Sequence, residues 1–195
     1  MRIEKIAPES ITKAVAILKH GGVVVYPTET AYALGCDATN GKAIAKIFKI
    51  KNRPKEKGLP VICATKRMAS DFFKFGKIER KLAKKYWPGP LTMVLKKSSK
   101  FKVQSLKFIA VRVSPNKVAC AISRGLKRPI VSTSANISGA AAIYNSADII
   151  KNFSEKKYQP DLILDAGKIP VRRPSTIIKI ENNKVIILRQ GEVRI

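Results

Sequence analysis

The chain has 195 residues, 45% of them apolar and 7% aromatic, and carries 39 Lys and Arg against 13 Asp and Glu for a formal net charge of +26. That apolar content can build a packed core, which excludes global disorder, and no apolar run reaches the ~20 residues of a bilayer-crossing helix. The N-terminus, Met1 to Pro8, holds no signal-like apolar stretch, so a cytoplasmic protein is expected.

In chain order, Ile11, Ala14, Val15 and Leu18 recur at helical spacing behind Ser10, and Gly21 is expected to stop that helix. Residues 23–26 read as a buried strand. Asn40 opens a second helix with Ile44, Ile47 and Phe48 on one face, and it must end before Pro54. A strand is expected over 59–64 and a helix over 66–86, broken near Gly76 and stopped by Trp87-Pro88-Gly89-Pro90. Strands over 91–96 and 108–113 precede a helix over 115–125 with Pro in its first turn. A strand at 130–131, a short helix over 146–152 and a strand over 162–164 follow. Strands over 176–180 and 185–188, joined by Glu181-Asn182-Asn183-Lys184, form a closing hairpin. Such alternation predicts an α/β architecture with a mixed sheet and, with no linker or repeat visible, one domain over 1–195.

Cys36, Cys63 and Cys120 are odd in number and lack a C-x-x-C pair, so reduced, buried thiols are expected rather than disulfides or a zinc site. His20 is the sole histidine and ends a helix, which argues against a His-dependent catalytic triad. The basic residues, 28 Lys and 11 Arg, are grouped over 46–57, 74–85, 96–107 and 124–128. Such a field attracts nucleic acid or nucleotides, but exposed lysines also arise from composition alone, and both explanations stand.

The two common phosphate motifs, G-x-x-x-x-G-K-[ST] and G-x-G-x-x-G, are missing. Polar clusters instead follow apolar strands, where α/β proteins place ligands. Pro27-Thr28-Glu29-Thr30-Ala31-Tyr32 either holds a small polar substrate or simply caps a turn. Ser132-Thr133-Ser134-Ala135-Asn136-Ile137-Ser138-Gly139 packs many donors where a backbone can approach an anion. Lys51-Asn52-Arg53-Pro54 is either a phosphate clamp or a solvated helix end. Trp87 reads as an anchor, while Arg112, within an apolar strand, must face water or meet an anion such as a ligand carboxylate or phosphate.

These segments, together with Trp87-Pro88-Gly89-Pro90-Leu91-Thr92, Ala110-Val111-Arg112-Val113, Pro174-Ser175-Thr176 and Leu188-Arg189-Gln190-Gly191, occur in the order and spacing of one family. Over nearly its whole length the chain resembles the YrdC/TsaC family of L-threonylcarbamoyladenylate synthases. The resemblance implies a twisted mixed sheet with flanking helices around a basic concave cavity. It also implies a nucleotidyltransferase that turns L-threonine, bicarbonate and ATP into threonylcarbamoyl-AMP, pyrophosphate and water, with Mg²⁺ on the phosphates. The product would pass to tRNA threonylcarbamoyl-transfer proteins, for the adenosine next to the anticodon. Around ATP the resemblance places Lys51, Arg53, Ser132, Ser134, Asn136 and Arg189, with Lys51 and Arg53 as the catalytic cations. Around threonine it places Thr28, Thr30, Tyr32, Arg112 and Ser175, and it names no protein ligand for a metal.

Two departures stand out. Tyr32-Ala33-Leu34-Gly35 has Ala where the family commonly has Gly, so a Cβ meets whatever geometry that Gly served. Ala140-Ala141-Ala142 lacks the Pro or Arg often found there. An alternative of a different class is a non-catalytic module of the same fold that binds RNA directly through its positive charge.

Overall fold

Capping chemistry sets the helix boundaries of the computed structural model, which describes residues 1–54, 58–101 and 107–195. Lys55, Lys57 and Lys102 of the basic groups lie outside those residues. Helix α1 (Pro8–Lys19) starts ahead of Ser10, whose buried hydroxyl instead accepts from the Ala7 N–H at 2.9 Å and donates back to the Ala7 carbonyl. In α2 (Gly41–Lys51) the Asn40 side chain accepts from Ala43 N, and Asn52 closes the helix in the left-handed region at φ 48°. Asn is one of the few residues that adopts this region readily, and the reversal turns Arg53 back over the last helical turn.

Two expected boundaries move. The long helix over 66–86 is two, α3 (Lys66–Phe72) and α4 (Lys77–Tyr86), because the buried Phe73 takes strand conformation in β5 (Phe73–Lys74). Helix α5 (Lys117–Leu126) begins behind Asn116, whose Oδ1 accepts from Val118 N and Ala119 N, so Pro115 stays outside it. Helix α6 (Ser146–Phe153) falls where it was expected, capped by Asn145.

The remaining strands are β1 (Arg2–Lys5), β2 (Val24–Pro27), β3 (Tyr32–Gly35), β4 (Val61–Cys63), β6 (Leu91–Lys97), β7 (Phe108–Val113), β8 (Ile130–Val131), β9 (Thr133–Ser134), β10 (Leu162–Asp165), β11 (Thr176–Glu181) and β12 (Lys184–Arg189). Instead of one mixed sheet they form two. One has the order β1-β10-β2-β3-β9; the other runs β12-β11-β6-β7-β4-β8, with β5 attached to β6. Both mix parallel and antiparallel pairs: β2 is parallel to β10 and antiparallel to β3, and β6 is parallel to β11 and antiparallel to β7. In the first sheet β3, hidden in what reads as a polar loop, pairs with β2 as a hairpin and with β9 on its other side.

The core lies between strand faces and helices. Val24, Val25, Leu34, Leu162 and Ile163 are fully buried, each worth about 1.5–3 kcal/mol relative to exposure. Cys36 and Cys63 are buried free thiols, and burial raises both well above the usual thiol range. No helix among the described residues is long and apolar enough to cross a membrane.

One stretch joins the two sheets. Residues 130–134 pair with β4 through β8, then with β3 through β9. Between the two pairings Val131 N bonds to Cys36 O, Ser132 N to Pro60 O and Ala135 N to Tyr32 O. Gly35 must be Gly here, since a Cβ would stand 2.4 Å from the Val131 carbonyl and 2.6 Å from the Tyr26 ring.

Candidate active site

Where the two sheets meet, side chains from segments spread along most of the chain, from Thr28 to Arg189, line a cavity of about 560 Å³, within the usual range for small-molecule sites. Every site residue expected from the sequence is on its wall except Lys51.

The β2–β3 turn contributes Thr28 and Thr30. The Thr28 hydroxyl donates to Ala31 O at 2.7 Å, accepts from the N–H groups of Thr30 and Ala31, and lies 3.1 Å from the Thr30 hydroxyl. The turn-capping role and the place on the cavity wall thus belong to the same buried residue. Tyr32 is not a loop residue but the first of β3, and its phenol donates to Gly167 O at 2.9 Å and accepts from Ala166 N at 2.8 Å. Burial raises that phenol, so at neutral pH it serves as a neutral clasp between β3 and the 166–167 turn.

Lys51 is 1% exposed and lies behind the wall. Its ammonium donates to Ser134 O at 2.5 Å, Asn136 O at 2.7 Å and Asn136 Oδ1 at 2.9 Å, which uses all three of its donors. Burial, and next the Arg53 charge, push it down to about 8, so it is still a cation at neutral pH. Asn136 Oδ1 also accepts from the Ser134 hydroxyl at 2.7 Å, while its Nδ2 donates to Ala140 O and Ala141 O. Ser138 N returns to Lys51 O at 2.8 Å. The phosphate clamp read from Lys51-Asn52-Arg53 therefore divides: Arg53 reaches the cavity, holding Gly58 O at 3.2 Å, and Lys51 fixes the segment that carries Ser132, Ser134 and Asn136.

Arg112, on β7, is buried and meets its anion within the protein. Its Nη1 is 2.9 Å from Glu29 Oε1, an ion pair without hydrogen-bond alignment, and the other Glu29 oxygen accepts from the Ser114 hydroxyl. Across the cavity Ser175 meets the Thr92 hydroxyl at 2.8 Å, and Arg189 donates Nε and Nη2 to Ser175 O and Nη2 to its hydroxyl. Burial first, then the Arg112 charge, lowers the Arg189 guanidinium.

The C-terminal segment holds this second wall in place. Thr176 Oγ1 accepts from Gly191 N and Val193 N and donates to Val193 O, and Glu192 N donates to Pro174 O. A Cβ at Gly191 would stand 2.1 Å from Pro174 O. Sequence reasoning missed Thr92 as a wall residue, together with Tyr144 and Arg172. No motif flagged the last two; only the fold brings 144 and 169–172 together, through Ile169 N to Tyr144 O at 2.8 Å.

Ala33 lies on the wall in ordinary strand conformation, paired with Tyr26 and Ser134. No left-handed geometry is required there, so its Cβ only narrows the cavity by one methyl group. Ala140 and Ala142 also line the wall, presenting methyl groups. Hydroxyls and guanidinium groups dominate the polar lining, which suits an anionic, polyoxygenated ligand. Among the described residues no group of three or more His, Cys, Asp and Glu is placed to hold a metal ion.

The chain is similar to known proteins along nearly its whole length. The Sua5/YciO/YrdC family model, described as telomere recombination, matches residues 16–191. A Methanocaldococcus jannaschii protein provisionally named threonylcarbamoyl-AMP synthase is 31% identical over 200 residues, covering 100% of this chain and 94% of that protein. The structure of P. abyssi Sua5 complexed with L-threonine superposes with a TM-score of 0.86 at 31% identity, covering 97% of this chain and 56% of that one. A doubly substituted P. abyssi Sua5 gives 0.87 at 31% identity, over 98% and 60% of the two chains. The chain thus spans less than two thirds of those Sua5 chains. E. coli YciO gives 0.83 at 27% identity, over 97% of this chain and 93% of that one.

Proposed function

The chain belongs to the Sua5/YciO/YrdC family, and from that premise we propose that it is an enzyme that joins L-threonine, bicarbonate and ATP into threonylcarbamoyl-AMP, pyrophosphate and water. The product would serve N6-threonylcarbamoylation of the adenosine next to the anticodon in tRNA, through downstream transfer proteins. One observation carries this reading. Thr28, Arg53, Arg112, Ser134 and Ser175, far apart in sequence, line one cavity large enough for a nucleotide and an amino acid.

In the proposed chemistry the threonine amine attacks bicarbonate, hydroxide leaves as water, and a carbamate forms. A carbamate oxygen then attacks the α-phosphorus of ATP, and the bond to the bridging oxygen breaks to release pyrophosphate. Negative charge builds on phosphate oxygens, where Arg53 and the Ser132 and Ser134 hydroxyls can stabilise it. Holding three reactants side by side supplies several kcal/mol more. Thr28 and Ser175 would orient threonine, and Arg112, already neutralised by Glu29, would read its carboxylate without leaving a naked cation when the site is empty. Asn136 acts at one remove, by holding Ser134. Mg²⁺ would enter on the ATP phosphates, with hydroxyls rather than a carboxylate set as the protein's contribution.

The RNA-binding alternative rests on the net charge; the Ala33 departure adds nothing to it, because Ala33 sits in ordinary strand conformation. Pyrophosphate release from ATP, with mass-spectrometric detection of threonylcarbamoyl-AMP, is the test. Turnover should require threonine and bicarbonate together; release that ignores either, or no adenylate, rejects the synthase reading.

A further inference from the structure

Four arginines line the cavity, and three of them are already engaged. Arg53 donates to Gly58 O, Arg112 pairs with Glu29, and Arg189 holds Ser175. Arg172 is different. It is exposed on the segment between β10 and β11, lines the cavity mouth, and makes no hydrogen bond or ion pair among the described residues.

The backbone around it is pinned at both ends and unbonded in the middle. Ile169 N donates to Tyr144 O at 2.8 Å on one side, and Pro174 O accepts from Glu192 N at 3.0 Å on the other. No backbone hydrogen bond engages residues 170–173 among the described residues. The anchors keep the span at the rim while the guanidinium stays free to follow a ligand. A guanidinium at a mouth matches an anion with paired oxygens, since its planar fork donates two parallel hydrogen bonds. A nucleotide triphosphate whose α-phosphate reacts inside the cavity must point its β- and γ-phosphates at an exit, because they depart as pyrophosphate.

We propose that Arg172 binds the β- and γ-phosphates of ATP at the cavity mouth, and then the pyrophosphate they become. This rests on the ATP-using reading above and adds a contact that the sequence motifs do not contain. The triphosphate gives this arginine the partner it lacks, and its exposed position lets it release the product without disturbing the buried walls.

Calorimetric titration of the full chain with ATP, AMP and inorganic pyrophosphate, threonine being left out so that no turnover occurs, tests the assignment. R172A should weaken ATP and pyrophosphate about tenfold, the scale of one charge-assisted contact, and leave AMP nearly unchanged. R172K should recover part of the loss. R173A removes the same charge one residue away, outside the cavity lining, and should behave as wild type. An equal loss for AMP, the same loss in R173A, or no loss in R172A overturns the proposal. Wild-type protein that binds ATP and pyrophosphate with this Arg172 dependence, yet forms no adenylate, would sink the synthase reading and leave the rim contact standing.

Discussion

The two polar walls of the cavity are held by different sets of bonds. On the wall over 132–138, side chains hold backbone: the Lys51 ammonium and the Asn136 amide gather the carbonyls of Ser134, Asn136, Ala140 and Ala141. On the wall at 174–176, backbone adds to the Arg189 guanidinium on Ser175 O: N–H and carbonyl groups of 191–193 grip the Thr176 hydroxyl and Pro174 O so closely that position 191 has no room for a side chain. The first wall is vulnerable to losing a charge, the second to gaining a carbon.

Lys51→Ala should break the comparison hardest. It strands three buried oxygens that share one cation, and a loss of about 3 kcal/mol in urea denaturation is expected. If the variant keeps its stability and loses only ATP affinity, Lys51 contacts phosphate after all and the wall is held by something else. Gly191→Ala comes next. The new methyl must displace the Pro174 carbonyl, costing about 2 kcal/mol, and should raise the threonine requirement more than the ATP requirement because Ser175 moves with it. A shift in the ATP requirement alone would detach Ser175 from threonine. The smallest effect is expected at Ala33→Gly, a destabilisation of about 0.5–1 kcal/mol from strand entropy with adenylate formation retained. A large gain in activity would show that the Ala33 methyl obstructs the ligand.

Most of the α/β order was legible because apolar runs and capping residues act locally: Asn40, Gly21 and the Asn182-Asn183 turn all fall where expected. What escaped depends on distant partners. Tyr32 reads as polar loop until Tyr26, Val25 and Ser134 supply the ladder that makes β3 a strand. The residues that the resemblance grouped line one cavity, Lys51 excepted, but the sequence could not say which of them face inward. Lys51 and Arg53, two residues apart, part company because Asn52 takes a left-handed turn. Arg112 implied an anion, and Glu29 in the next polar cluster was that anion; no spacing rule links position 29 to 112.

The stretch 130–134, stitched first to one sheet and then to the other, acts as a rivet. Rotating one layer against the other would break the bonds from Val131 to Cys36 and from Ser132 to Pro60, which opposes a jaw-like opening of the cavity. In the proposed reaction the rim spans are then the route for reactants, with Ser132 and Ser134 held in place beside the cavity.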